Sequence, residues 1–172
     1  MLKAAGIFLI FAAGAGLGFH KSLELTTRER NLSAFLQISI YLKGVIRCGN
    51  ASLPEAFAQA AARFGGMYGK FLLEIYERMC SSRGETFGEI FRDCAQEQLS
   101  GTGFSQREKS LIFSFGERLG CLDREMQLNQ LTFFEKELEE ELVLLRRELP
   151  ERKKLCRSLG ILGGLLLGVL LW

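Results

Sequence analysis

The chain has 172 residues, of which 48% are hydrophobic and 24% are charged, so it is large enough for one modest packed domain and too small for two ordinary ones. Its net charge is only +2, and no stretch combines basic with aromatic residues, which argues against a nucleic-acid partner. The single histidine, His20, lies beside an apolar run, which excludes histidine-based triads and the usual zinc sites. These features disfavour most hydrolases and metalloenzymes, and the sequence predicts neither a cofactor nor a small-molecule substrate.

The cysteines are odd in number, widely spaced and never in a Cys-x-x-Cys pair. They are Cys48, Cys80, Cys94, Cys121 and Cys156. This pattern argues against both a disulfide framework and a metal cluster. Because free cysteine is usually buried, we expect buried or half-buried thiols in a reducing compartment, and a cytoplasmic central region.

Two apolar runs, residues 4–19 and 158–172, flank a middle region that charged residues interrupt every few positions. As helices that rise about 1.5 Å per residue, the runs each cover about 24 Å, somewhat less than the roughly 30 Å of a bilayer core. Trp172 offers an aromatic anchor, and lysines and arginines concentrate on the inner flanks of both runs. The positive-inside rule then predicts two membrane helices, with the middle region in the cytoplasm and both termini outside.

The N-terminal run has a second interpretation as a secretory signal peptide. Lys3, the apolar stretch and Ala13-Gly14-Ala15 form a loose cleavage pattern. In that case the chain would be a secreted helical protein that keeps only its C-terminal anchor.

Glycines four residues apart occur inside both apolar runs. The first run has Gly14 and Gly18, and the second has Gly160, Gly164 and Gly168. Such spacing lines one helix face with small residues and lets another membrane helix approach closely. We expect the triple to contact a partner helix, whereas the pair also fits ordinary glycine usage in membrane helices.

The middle region is predicted to be helical throughout. A hydroxyl residue followed three positions later by glutamate forms a capping box, which marks a helix start. Four such boxes are present: Thr26 with Glu29, Ser52 with Glu55, Thr86 with Glu89, and Ser105 with Glu108. The first helix should end at residues 48–50, and the next four should cover residues 53–64, 67–80, 87–99 and 106–119. No segment alternates as a strand hairpin does, so an all-α bundle of about six helices is expected.

Asp123 is expected to cap a sixth, long helix that leads toward the second apolar run. Leucines in this segment form one seam with a gap at Glu135: Leu128, Leu131, Leu138, Leu142, Leu145 and Leu149. The seam fits a helix packed on its own domain and also a coiled coil with a second copy. Pro150 predicts a kink or break between the seam and the membrane segment.

Residues 135–141 of this helix hold an acidic block with one lysine. We interpret Glu137, Glu139, Glu140 and Glu141 as a candidate contact with a partner, although charge runs are often only solvated faces. Glu135 and Glu139, one turn apart, could in principle act as acid and base. On a highly charged helix they should instead be solvated and ordinary, so the sequence predicts no enzyme.

The domain organisation follows in chain order. Residues 1–20 form a transmembrane helix, 21–122 a cytoplasmic helical domain, 123–157 a long amphipathic helix of that domain, and 158–172 a second transmembrane helix. The predicted fold is therefore all-α, a compact cytoplasmic bundle flanked by membrane helices.

Three segments carry a family resemblance: Gly49-Asn-Ala-Ser-Leu-Pro-Glu-Ala-Phe57, Gly84-Glu-Thr-Phe-Gly-Glu-Ile-Phe91 and Leu119-Gly-Cys-Leu-Asp-Arg-Glu-Met-Gln-Leu128. Together with the apolar termini, they resemble the stage III sporulation protein AB family of endospore-forming bacteria over almost the whole chain. That family is itself similar to the helical domain of type II secretion F platform proteins of the inner membrane. The five cysteines and the helix glycines Gly69, Gly88 and Gly116 depart from its pattern.

The resemblance implies a non-enzymatic, multi-pass membrane scaffold of the channel between mother cell and forespore, required for sporulation. Its central domain would lie on the mother-cell side beside a secretion-type ATPase, stage III sporulation protein AA, and other membrane proteins of the channel. The family offers no catalytic residue to carry over. A helical membrane protein of a type II secretion or pilus-like system is the alternative.

Overall fold

The computed structural model describes residues 2–81, 84–120 and 123–170, with side chains described mainly between residues 23 and 151. The described chain forms six helices and no strand. The helices are α1 (Leu2–Gly49), α2 (Leu53–Arg63), α3 (Gly66–Ser81), α4 (Phe87–Gln98), α5 (Gln106–Leu119) and α6 (Arg124–Leu170). The predicted all-α fold with a long last helix is confirmed, and the ends of α2 to α5 differ from the expected ones by at most one residue.

The chain divides into two compact units, and the long helices α1 and α6 each contribute residues to both. Unit 1 consists of Met1–Arg30 and Val143–Trp172, and unit 2 is Asn31–Leu142. Unit 2 contains α2 to α5 whole, together with the adjoining parts of the two long helices. The domain boundaries expected at residues 20, 122 and 157 stay a prediction.

Three of the four predicted capping boxes start helices, at Ser52, Thr86 and Ser105. In each box the backbone N–H of the N-cap residue donates to the glutamate three residues on, at 2.7–2.8 Å. These bonds satisfy backbone donors that the first helical turn leaves free. Asp123 likewise accepts a 2.8 Å bond from the Met126 N–H, so the predicted cap of α6 is confirmed.

The helix start predicted at Thr26 is wrong, because α1 runs without interruption from Leu2 to Gly49. A capping box works only where the N-cap residue leaves helical geometry, and Leu23, Glu24 and Leu25 before it favour the helix. Within unit 1, Glu29 instead accepts a 2.8 Å hydrogen bond from Arg146 of α6. The glutamate of this box therefore takes part in an ion pair.

The C-terminal end of α1 lies where the sequence predicts it. Asn50 has φ of 53°, the left-handed conformation that ends helices. The guanidinium of Arg124 donates to the carbonyl of Ile46 at 3.0 Å and to that of Arg47 at 2.9 Å. Since the last carbonyls of a helix lack intrahelical partners, this cation stabilises the end of α1 and ties the start of α6 to it.

The seam of α6 is buried within the chain. Leu131, Leu138 and Leu142 are buried in unit 2, Leu145 and Leu149 are buried in unit 1, and Leu128 is half-buried. The structure therefore fits the interpretation in which the seam packs a long helix on its own domain. The break expected at Pro150 is absent, because α6 continues through it to Leu170. Proline removes only the one N–H bond to the carbonyl of residue 146, and the turns on both sides stay helical.

Aromatic rings fill the core of unit 2. Phe91 packs against Phe71, Phe87 and Phe115 with ring centroids 5.5–5.8 Å apart, and Phe115 stacks on Phe134 of α6 at 4.0 Å. Burial of each such side chain contributes about 1.5–3 kcal/mol. This cluster joins α3, α4, α5 and α6, and it fixes the side of α6 that faces the core.

Helix α4 approaches α5 closely at glycines. A Cβ added to Gly116 would lie 2.3 Å from Cδ1 of Phe91, and one added to Gly88 would lie 3.1 Å from Cα of Glu117. Carbon atoms in contact are normally about 3.5–4.0 Å apart. Gly88 and Gly116, two of the helix glycines that depart from the family pattern, therefore make room for this packing.

The cysteines only partly match the expectation of buried thiols. Cys94 is buried, and burial raises the pKa of its thiol to about 11. Cys48 and Cys80 are exposed, so the prediction is wrong for them, because both lie at helix ends outside the core. The structural surroundings of Cys121 and Cys156 lie outside the described residues.

Within the described residues, no helix has a stretch both long and apolar enough to cross a bilayer. The side chains of residues 4–19 and most of those of 158–172 are not among the described ones. The predicted membrane helices stay a prediction.

Candidate docking surface

The acidic block of α6 divides into buried ends and an exposed middle. At its first end, Glu135 forms an ion pair with Lys43 of α1, and only 10% of its side chain is exposed. The expectation that Glu135 is solvated is wrong, because α6 packs this position against α1. Removing a carboxylate from water is costly unless it is paired and hydrogen-bonded, so this glutamate serves the packing of the two helices.

The other end of the block is also engaged. Arg107 of α5 forms an ion pair with Glu141, with 2.6 Å between Nε and Oε1, and the Glu141 side chain is 11% exposed. Glu141 is one of the four glutamates predicted to contact a partner, and the structure places its carboxylate against this arginine. It therefore has less capacity to meet a partner than its neighbours.

Three glutamates in the middle of the block form no ion pair with any described residue. Glu137 is half-buried, and Glu139 and Glu140 are exposed. With the exposed Lys136 they carry a net charge of −2, three negative charges against one positive. Carboxylates of this kind attract a basic surface and raise its rate of encounter.

An exposed aromatic ring lies on the same side of α6. Phe133 is 50% exposed, as is Met126 one heptad before it. Residues three, four and seven apart share a helix face, so Phe133 lies in line with Glu137 and Glu140. We name this set the α6 outer face, and it consists of Met126, Phe133, Lys136, Glu137, Glu139 and Glu140. An arginine of a partner could stack on the ring and pair with the carboxylates.

Phe133 is not among the contacts predicted from the sequence, although the sequence contains a signal for its exposure. Phe133 and Phe134 are adjacent, and adjacent helical residues point about 100° apart, so both cannot occupy the centre of one buried face. The structure buries Phe134 and exposes Phe133. The partners Lys43 and Arg107 had no such local signal, because they lie 92 and 34 positions from their glutamates in the sequence.

The remaining predicted contacts are the glycines Gly160, Gly164 and Gly168. Their backbone belongs to α6, but their surroundings lie outside the described residues. Their role as partner contacts therefore stays a prediction.

The α6 outer face offers charge and apolar contact to a partner. No group of three or more His, Cys, Asp or Glu residues in this part of the chain could hold a metal ion. Glu135 and Glu139, the carboxylates considered for acid–base work, lie in different environments, since the first is paired and buried and the second is exposed. What this surface can do is bind a partner of complementary charge.

The comparison with protein families extends over nearly all of the chain. The family model described as stage III sporulation protein AB matches residues 3–172. No curated protein and no solved structure matches the chain. The match includes all six helices and thus both units. The resemblance found in the helix starts is confirmed, and the chain belongs to the stage III sporulation protein AB family.

Proposed function

We propose that the protein is a non-enzymatic membrane scaffold of the channel between mother cell and forespore, and that it holds the secretion-type ATPase stage III sporulation protein AA. Family membership indicates a role in stage III of sporulation. The observation that carries the finer proposal is the α6 outer face, where an exposed aromatic ring lies in line with two of the three carboxylates that have no described ion pair.

The placement in the membrane rests on the sequence. Residues 1–20 and 158–172 form transmembrane helices in this proposal, and the arginines and lysines on their inner flanks hold the helical middle in the mother-cell cytoplasm. Glycines at positions 160, 164 and 168 contact membrane helices of other channel proteins. The scaffold thus joins a cytoplasmic motor to membrane components.

The proposed contact combines charge with an aromatic anchor. Glu137, Glu139 and Glu140 pair with basic side chains of the ATPase, while Phe133 packs under one of them. Exposed pairs contribute little energy one by one, so the aromatic ring and the summed charge are both needed. Glu135 and Glu141 are excluded from the contact because Lys43 and Arg107 already engage them.

Co-purification of the tagged full chain with the ATPase, from detergent-solubilised membranes of sporulating cells, tests the proposal. The test variant carries Glu139→Lys and Glu140→Lys, and the matched control carries Glu77→Lys and Asp93→Lys. All four residues are exposed, and both double variants change the charge by the same amount. We expect recovery of the ATPase to fall at least tenfold with the test variant and to stay unchanged with the control.

Three outcomes contradict the proposal. If the wild-type chain recovers no ATPase, the scaffold function is wrong. If both double variants lose the ATPase equally, only general charge matters, and if neither does, the α6 outer face is not the contact. A Phe133→Ala variant gives an independent measure, and we expect it to lower recovery while leaving the helical content unchanged.

A further inference from the structure

A second surface lies between the end of α4 and the start of α5, and its lining includes none of the residues of the α6 outer face. It is a cavity of about 270 Å³ whose floor is apolar. Ala95, Leu99, Phe104 and Ile112 form this floor, and all four are buried. We name it the α4–α5 cleft. An apolar cavity of this kind favours an apolar occupant, because water inside it gains few hydrogen bonds.

The lining of the cleft includes one cationic side chain, that of Lys109. Lys109 is half-buried and is the only charged residue of the lining, and it forms no ion pair with any described carboxylate. Three arginines of unit 2, Arg78, Arg92 and Arg107, by contrast form ion pairs with glutamates. An ammonium group without a carboxylate beside an apolar floor is complementary to an anion attached to an apolar group.

The size of the cleft indicates whether the anion belongs to a free small molecule or to a side chain of another protein. Pockets that hold small molecules commonly enclose roughly 300–1,000 Å³ and bury most of the ligand. This cleft is smaller and is open on one side, so it suits a side chain presented by another protein better than a free ligand. Gln96 and Ser100 on its exposed rim can hydrogen-bond to the backbone of an extended segment.

We infer that the α4–α5 cleft binds a short acidic segment of a partner protein. One large apolar side chain of that segment fills the cavity, and a neighbouring Asp or Glu pairs with Lys109. The inference does not depend on the ATPase proposal, because it uses none of the residues of the α6 outer face. It differs from that contact also in sign, since here the partner supplies the negative charge.

The test is a peptide array probed with the tagged full chain in detergent. Each spot is a glycine–serine peptide with one of the 400 possible residue pairs at its centre. We expect signal at pairs of a large apolar with an acidic residue and about tenfold less signal when the acid is replaced by its amide. Lys109→Gln should remove the preference for the acid, Lys109→Arg should keep it, and the control Lys70→Gln should leave it unchanged.

Two further measurements locate the binding and exclude a free ligand. Gln96→Trp covers the rim from an exposed position, so we expect it to weaken every bound spot while the protein stays folded. Octanoate, an apolar chain with a carboxylate, is titrated directly against the full chain. The inference is overturned if no pair binds, if bound pairs lack an acid, if Lys109→Gln keeps the preference, or if octanoate binds more tightly than the best peptide.

Discussion

The close packing of α4 on α5 predicts that Gly116→Ala destabilises the protein. The added Cβ would lie 2.3 Å from Cδ1 and 2.6 Å from Cγ of Phe91. To reach the shortest normal carbon contact of about 3.5 Å, the ring has to retreat by about 1.2 Å. Three other rings, those of Phe71, Phe87 and Phe115, block that movement, because each lies within 5.8 Å of it between centroids.

Two opposing effects set the change in the free energy of unfolding for Gly116→Ala. Overpacking a well-filled core costs about 1–3 kcal/mol, and the blocked ring places Gly116→Ala near the upper end. Replacing glycine by alanine inside a helix returns about 1 kcal/mol. The expected net loss is therefore about 2 kcal/mol in the free energy of unfolding. For a chain of this length that corresponds to a midpoint about 4–8 °C lower.

Thermal unfolding of the full chain in detergent, followed by far-ultraviolet circular dichroism, measures this effect. Gly44→Ala is the matched control, because a Cβ at this exposed helical position meets no atom within 4 Å. It retains only the helix-propensity gain, so we expect its midpoint to rise by about 2–4 °C. The reasoning is refuted if Gly116→Ala unfolds at or above the wild-type midpoint while Gly44→Ala behaves as expected.

Three further predictions follow from single contacts. Glu135→Ala should lower the free energy of unfolding by about 1–3 kcal/mol, because it leaves Lys43 of α1 without its carboxylate. The exposed control Glu139→Ala should change that free energy by less than about 0.5 kcal/mol. Equal losses in chemical denaturation would contradict the difference in burial. Hydrogen bonds from the backbone and side chain of its N-cap residue lower the pKa of Glu89. The ionised Glu89 therefore stabilises the fold at pH values above the ordinary carboxyl pKa, and this stabilisation is lost as the pH falls through the lowered pKa of the folded state. Glu89→Ala should consequently destabilise the protein at neutral pH, and the difference in stability from the wild type should shrink in acid. Cys94 should react with iodoacetamide more slowly than Cys80, as followed by mass spectrometry of peptides, and equal rates would show that Cys94 is accessible.

The predicted helix starts show when a local pattern suffices. Ser52, Thr86 and Ser105 follow loop residues, and there the box of hydroxyl and glutamate can leave helical geometry on its N-terminal side. Thr26 has the same box but follows residues that are already helical. Since the pattern describes only four residues, it cannot distinguish these two settings.

The acidic block shows the same limit for the candidate site. Its position on a long helix and its charge could be predicted, because both depend on residues close together in the sequence. The carboxylates that stay available for a partner could not be predicted in this way. Lys43 pairs with Glu135 and Arg107 pairs with Glu141, and both basic residues come from distant parts of the sequence. Ion pairs of that kind depend on folding, and no spacing rule predicts them.

By itself, the sequence determined the helical class, the ends of the four short helices to within one residue and the family, because capping, periodicity and breaker residues act over a few positions. Only the tertiary structure decided what the leucine seam of α6 packs against. It placed Phe134 on Phe115 and left Phe133 exposed, and it left Lys109 at an apolar cleft without a described carboxylate. The physical reason is that burial and ion pairing depend on contacts between distant segments, whose geometry exists only once the helices have packed.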